Sequence, residues 1–155
     1  MNDQIERVAF NGVEFAIILR SGFREPGIHF FTDGRLSQQL AYMRRPEGYV
    51  IPPHVHNPVT RAVQYTREVL FLRRGRLRVD FYSDDQVYLE SRELGPGDVI
   101  LLSVGGHGFE VLEEIEMVEV KQGPYAGDAD KTRFTGITAA EARIVGLSGG
   151  ETKSS

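Results

Sequence analysis

The sequence contains no cysteine among its 155 residues, and this absence excludes disulfides, thiolate metal sites and cysteine nucleophiles. Any metal site in the chain must therefore use imidazole, carboxylate or other oxygen ligands. Lys and Arg together number 18 against 22 Asp and Glu, which gives a net charge of -4. Because nucleic acids and anionic membranes favour a basic surface, this mild acidity predicts that neither is a partner.

Long apolar segments are also missing from the sequence. No stretch reaches the roughly 20 apolar residues that a membrane-spanning helix needs. Residues 1–7 carry no basic region followed by an apolar run. We therefore expect a soluble, cytoplasmic protein. The length suits a single domain, which we place at residues 1–145, followed by a flexible polar tail at 146–155.

Short segments with strand character, separated by Gly, Pro and Asp signals, make up most of the chain. Residues 77–81 and 117–121 alternate apolar with polar side chains, as half-buried strands do. The full set of strands is expected at 13–19, 28–31, 39–43, 69–72, 77–82, 87–94, 99–102, 109–112 and 116–121. Many short strands of this kind predict an all-β sandwich or barrel.

Turn and helix signals complete the local pattern. Turns are expected at 32–34, 73–75, 83–85 and 95–98, with an exposed acidic turn at 113–116. Helical signals are slight, and only residues 138–143 favour one or two helical turns, with Thr138 as the N-cap. The chain is therefore expected to contain at most one short helix after its last strand.

Three histidines and one glutamate between residues 48 and 107 have the residue types that bind metals. His54 and His56 are separated by one residue, so an extended strand would place both imidazoles on the same face. Glu68 begins a strongly apolar segment, where a buried carboxylate is costly unless it is paired or bound to a metal. His107 follows another apolar segment and a flexible Gly-Gly turn.

These residues resemble the two sequence motifs of the cupin superfamily. The first motif, G-x5-H-x-H-x3-4-E-x6-G, is matched by Gly48, His54, His56, Glu68 and Gly75. The spacing departs from the motif at one place, because eleven residues, 57–67, separate the second histidine from the glutamate.

The second cupin motif, G-x5-P-x-G-x2-H-x3-N, is matched in its core at Gly97, Gly105 and His107. Ser103 stands in place of the proline, the histidine arrives one residue early, and no asparagine follows at the motif position. The Gly-Gly pair at 105–106 can absorb the missing residue, since glycine adopts positive φ at little cost. The resemblance covers residues 48–121.

The resemblance implies both a fold and a cofactor. The fold is all-β, a cupin double-stranded β-helix or jelly-roll-like barrel. The cofactor is one divalent transition metal ion per chain (Fe, Mn, Zn, Ni or Co), bound by His54, His56, Glu68 and His107. Such a metal keeps one or two positions open for water, substrate or dioxygen. Cupins commonly pair through exposed edge strands, so we also expect a homodimer formed through residues 5–43.

Five other side chains are candidates for a substrate pocket: Arg61, Tyr65, Arg78, Lys121 and Tyr125. The first two lie in the spacer between the motif ligands, which forms either a plain surface loop or the rim of the pocket. Lys121 and Tyr125 lie at the end of the last strand, where they either contact substrate or belong to a solvated strand end. An arginine in the pocket would bind a carboxylate or phosphate group through two hydrogen bonds.

Two polar residues also have a plain structural interpretation. Glu68 would otherwise be an edge-strand acid paired with Arg67 or Arg73. His29 is expected to be an ordinary hydrogen-bonded strand histidine, because it has no partner in the motif pattern.

Three functions remain open from the sequence. In the first, the protein is a metalloenzyme whose metal acts as a Lewis acid on a small polar or anionic metabolite, sugar-like as in surface-polysaccharide metabolism. In the second, the metal is Fe(II) and the protein is an oxygenase. In the third, the domain binds a metal or a ligand without catalysis. No general base can be singled out, which weakens an isomerase more than an oxygenase. We favour an enzyme with a small-molecule ligand.

Overall fold

The computed structural model describes residues 2–147, and this part of the chain is all-β, as predicted. The strands are β1 (Ile5–Phe10), β2 (Val13–Leu19), β3 (Gly27–Phe30), β4 (Ala41–Arg44), β5 (Glu68–Tyr82), β6 (Tyr88–Leu94), β7 (Val99–Leu102) and β8 (Gly106–Lys121). Two single-turn 3₁₀ helices follow, at Gly127–Asp130 and Ala139–Glu141. The second has Thr138 as its N-cap and lies within the predicted 138–143, but it is a single 3₁₀ turn, and the turn at Gly127–Asp130 was not predicted.

Six strands form one curled sheet with the shape of half a barrel. Its order is β1-β2-β7-β5-β6, and β8 pairs antiparallel with β5 along its length. β3 and β4 form a separate two-stranded sheet. Ile17 and Ile18 are neighbours in β2 and point to opposite faces, so they enter two different apolar clusters. The main sheet is therefore stabilised by packing on both faces.

The β5–β8 ribbon is bent. β5 has 15 residues, enough to span roughly 50 Å if it were straight. The pairing with β8 shifts register three times between Leu72 and Leu77, and bulges of this kind bend a strand. Gly75 lies within this stretch at a φ of 84°. The bend brings Glu68, at one end of β5, against His107, whose pairing partner is near the other end.

The turns predicted at 73–75 and 113–116 are wrong, because both segments lie inside strands. Arg74 pairs with Glu116, and Arg76 pairs with Glu113, across the irregular part of the ribbon. A glycine at positive φ among charged residues is a signal for a turn and for a bulge alike. Only the neighbouring strand decides between them, and a local sequence pattern does not contain that information.

Residues 45–67 form neither helix nor strand. Four of the seven prolines of the chain lie here, at positions 46, 52, 53 and 58, and proline cannot donate a backbone hydrogen bond. Within the described chain, residues 50–66 have no backbone-to-backbone hydrogen bond. The extended strand that would place His54 and His56 on one face is therefore absent, because no strand of the described residues pairs with this segment. We call residues 45–65 the arm.

The helices of the chain are short. No helix among residues 2–147 is both long enough and apolar enough to cross a membrane. The predicted flexible tail, 146–155, lies outside the described residues from position 148 onward.

Gly75→Ala should lower the free energy of unfolding by about 2–5 kcal/mol, the sum of a left-handed backbone and an overpacked contact. The added Cβ would lie 2.0 Å from the carbonyl oxygen of Glu114. Gly12→Ala is the control, because Gly12 has a similar φ of 76° and nothing within 4 Å of its Cβ position. We expect it to lose only about 1–2 kcal/mol. If urea denaturation shows that both variants lose the same free energy of unfolding, the close approach of Gly75 to Glu114 does not contribute to the cost.

Candidate functional site

Glu68 is the centre of a polar cluster on the bent ribbon. It lies between Leu102 of β7 and Lys121 of β8 in the sheet, which explains its burial. Its carboxylate is 3.2 Å from Nε2 of His107 and 3.3 Å from Nζ of Lys121. The side chain of Glu68 is 11% exposed, whereas that of His107 is 30% exposed. The alternative of an edge-strand acid paired with Arg67 or Arg73 is thus wrong, since strands flank Glu68 on both sides.

The electrostatic environment keeps Glu68 ionised. The hydrogen bond from His107, opposed by desolvation, lowers the pKa of Glu68 to about 2. Desolvation, and after it the hydrogen bond and charge of Glu68, raises the pKa of Glu119. Desolvation lowers the pKa of Lys121, but the hydrogen bond to Glu68 and the surrounding carboxylates raise it by more. Glu119 is therefore the acid of this pair that takes up a proton more easily.

A cavity of about 990 Å³ adjoins this cluster. Its walls come from β5, β8 and residues 130–137, and Glu68, His107 and Glu119 all line it. Lys131 and Arg133 add basic side chains to the same walls. A cavity of this size, lined by apolar residues and a few convergent polar groups, is typical of a small-molecule site.

Arg78 lines this cavity, but carboxylates already bind its guanidinium. Its Nε is 2.8 Å from Asp80, and its Nη1 is 2.7 Å from Glu110. Asp80 in turn accepts a hydrogen bond from Ser91. The hydrogen bond with Asp80, opposed by desolvation, raises the pKa of Arg78. Arg78 is thus held within a buried network rather than offered to an anionic ligand.

The other pocket candidates lie in different places. Arg61 and Tyr65 line a second cavity of about 470 Å³, and Tyr65 borders the larger cavity as well. Lys121 contacts Glu68, while Tyr125 is exposed and lines neither cavity. His29, in β3, has Nε2 2.9 Å from the carbonyl oxygen of Pro26. The interpretation of His29 as an ordinary hydrogen-bonded strand histidine is confirmed.

The arm histidines lie next to each other but apart from Glu68 and His107. The ring centroids of His54 and His56 are 5.2 Å apart, and Nδ1 of His54 is 3.0 Å from the carbonyl oxygen of Pro52. In the described part of one chain, no three His, Asp or Glu side chains are arranged to hold a metal ion. The four side chains suit a divalent transition metal in type. In their positions, however, the described residues of one chain form two separate pairs, His54 with His56 and Glu68 with His107.

No protein-family model, curated protein or solved structure matches this chain. The function of the site therefore has to be inferred from its own geometry and from the motif residues that meet in it.

Several polar residues of the larger cavity were not predicted from the sequence. Glu119 was within reach of prediction, because it lies two residues before Lys121 in an alternating strand and so shares its face. Asp130, Lys131 and Arg133 follow the last strand in a segment without periodicity. The high density of charged residues at 128–133 was the one local signal that could have marked these three side chains as part of a site.

Proposed function

We propose that the protein is a cupin-type, metal-binding enzyme that acts on a small polar or anionic metabolite. The observation that supports this best is the 3.2 Å contact between Glu68 and His107 at the wall of a cavity of about 990 Å³. One residue belongs to the first cupin-like motif and the other to the second. The curled half-barrel sheet is in keeping with such a fold.

In this proposal Glu68 and His107 are two of the metal ligands, and His54 and His56 are the other two. A bound divalent transition metal would supply Lewis-acid polarisation of a carbonyl or hydroxyl oxygen. Lys121 holds the other carboxylate oxygen of Glu68 at 3.3 Å and so fixes its orientation, as hydrogen-bonded neighbours of ligating carboxylates do.

Two basic side chains would bind an anionic group on the metabolite, although the six acidic side chains of the cavity lining outnumber the three basic ones. Lys131 and Arg133 line the same walls as Glu68. Arginine binds a carboxylate or phosphate group through two parallel hydrogen bonds. Arg78 is not expected to take part, because Asp80 and Glu110 already bind it.

The proposal is tested by titrating the metal-free protein with Mn²⁺, Co²⁺ and Zn²⁺ in a calorimeter. Glu68→Gln should weaken binding at least about tenfold to 100-fold, because the amide oxygen is a neutral and poorer ligand. Glu113→Gln is the control. Glu113 lies in β8, the strand that pairs with β5, but it contacts Arg76 and does not line the cavity. Equal affinities of the two variants would refute the ligand role of Glu68, and a wild-type protein that binds none of these metals would refute the proposed function.

A further inference from the structure

The arm exposes more apolar surface than its place in one chain explains. Every side chain from 43 to 65 is exposed. Val50, Ile51 and Val59 are among them, and Val55 is 85% exposed. A contiguous apolar segment that stands free of its own chain is typical of a surface that another molecule covers.

The edge of the half-barrel formed by β8 is also left uncovered by the described chain. In the described chain, β8 hydrogen-bonds only to β5, so the backbone groups along its other edge are free for a further segment to pair with. None of the 16 residues of β8 is buried. Its apolar side chains at positions 109, 111, 118 and 120 are all exposed. A segment lying along β8 would cover these side chains and close the cavity.

The Glu68–His107 pair supplies only two of the four metal ligands that the motif resemblance implies. It provides one carboxylate and one imidazole, whereas His54 and His56 provide two further imidazoles that nothing else in the described chain engages beyond the carbonyl of Pro52. The two pairs together make a ligand set that a divalent transition metal favours, and neither pair suffices alone.

The charges of the two surfaces are complementary. β8 contains five glutamates and one lysine; Glu110 and Glu113 already pair with arginines of the same chain, which leaves the glutamates at 114, 116 and 119. The arm contains Arg45 and Arg61 against a single acid, Glu47, besides its two histidines. Opposite charges on two surfaces favour their association and fix the register in which they meet.

The residues that follow the arm are fixed to their own chain, whereas every side chain of the arm is exposed. Gln122 donates a backbone hydrogen bond of 3.0 Å to the carbonyl of Arg67, and the hydroxyl of Thr66 donates to Asp130. Within the arm, residues 61 and 63–65 border the second cavity of the same chain. A second copy of the chain offers the same open β8 edge, and a twofold axis would let both arms dock at once.

We propose that two copies of the chain exchange arms, so that His54 and His56 of one copy complete the site that Glu68 and His107 form in the other. This inference rests on the proposed function, because it names the chain that supplies the remaining ligands of the same site. Each dimer then contains two metal sites, and each site is built from both chains.

Complementation between variants tests this arrangement. One variant is His54→Ala/His56→Ala and the other is Glu68→Gln/His107→Ala. The two are co-expressed with different tags and isolated as a mixed dimer by two successive affinity steps, using tags that bind no metal. With exchanged arms, the intact arm of the second variant meets the intact cavity of the first, so the mixed dimer binds one Co²⁺ with wild-type affinity. Each variant alone binds none, and the wild-type dimer binds two.

The outcomes separate this inference from the proposed function. If the wild type binds Co²⁺ but the mixed dimer binds none, each arm folds back onto its own chain; the exchange is then wrong and the proposed function stands. The exchange is equally wrong if the wild type binds one Co²⁺ per chain as a monomer in light scattering. If the wild type binds no metal, the proposed function fails and the exchange of ligands fails with it.

Chemical cross-linking gives a second measurement that does not depend on the folding of the double variants. The chain has no cysteine, so Val55→Cys/Phe109→Cys introduces the only two thiols. With exchanged arms, a bismaleimide should produce a covalent dimer on a denaturing gel, while each single-cysteine variant stays monomeric. A double variant that becomes cross-linked only within the monomer would overturn the exchange.

Discussion

Arg78→Ala should lower the free energy of unfolding by about 3–5 kcal/mol, the range measured when one partner of a buried ion pair is removed. The Arg78 side chain is 5% exposed and contacts Asp80 through two nitrogens, at 2.8 and 3.1 Å. Its removal leaves the carboxylate of Asp80 buried with the hydroxyl of Ser91 as its remaining hydrogen-bond donor. An uncompensated charge of this kind destabilises the folded state far more than the loss of one hydrogen bond does.

The chain contains a matched control for this prediction. Arg35 also contacts an aspartate two residues away through two nitrogens, at 2.9 and 2.8 Å from Asp33, but its side chain is 92% exposed. Arg35→Ala should leave the free energy of unfolding essentially unchanged, because solvent screens exposed pairs. Both variants are measured by urea denaturation. A loss for Arg78→Ala as small as that for Arg35→Ala would show that burial of the pair contributes nothing to stability.

The sequence predicted the short buried strands well. Val13–Leu19 and Val99–Leu102 have the bounds that were expected. Each is a run of mostly apolar residues bounded by turn signals, and burial on both faces of the sheet leaves such a run few alternatives. The strand Ile5–Phe10 was missed as a separate element, because only Val8 in it is buried and the polar pair Glu6-Arg7 interrupts its apolar residues.

The long bent ribbon could not be predicted from local pattern. The sequence around Gly75 reads as the end of one strand and the start of another, and the structure joins them into the single strand Glu68–Tyr82. The bend depends on Gly75 meeting the backbone of Glu114, which is distant in sequence. Since the contact between Glu68 and His107 requires this bend, spacing alone could not place those two residues together; the motif resemblance did suggest it.

The arm shows a different limit of sequence reasoning. An alternating His-x-His pair indicates one face of a strand only if a neighbouring strand supplies hydrogen bonds. The described chain offers no such neighbour to residues 50–66. The pattern therefore singled out two histidines as candidate ligands, while their location depends on what lies beside the arm.

The second large effect is expected from the arm histidines. His54→Ala/His56→Ala should weaken metal binding by more than about 100-fold, beyond the usual loss from a residue that only supports a ligand. The fold should be unchanged, because both side chains are exposed and pack against little besides each other. His29→Ala is the control, since His29 lies in β3 and contacts Pro26 instead. Equal metal affinities for the two variants would exclude the arm from the site.

The most direct measurement is metal analysis by mass spectrometry of protein purified without chelator or a nickel column. We expect about one divalent transition metal ion per chain in the wild type and in His29→Ala, and none in His54→Ala/His56→Ala. A wild-type protein that holds no metal, even after incubation with Mn²⁺, Fe²⁺, Co²⁺ and Zn²⁺, would contradict the proposal that His54, His56, Glu68 and His107 form a metal site.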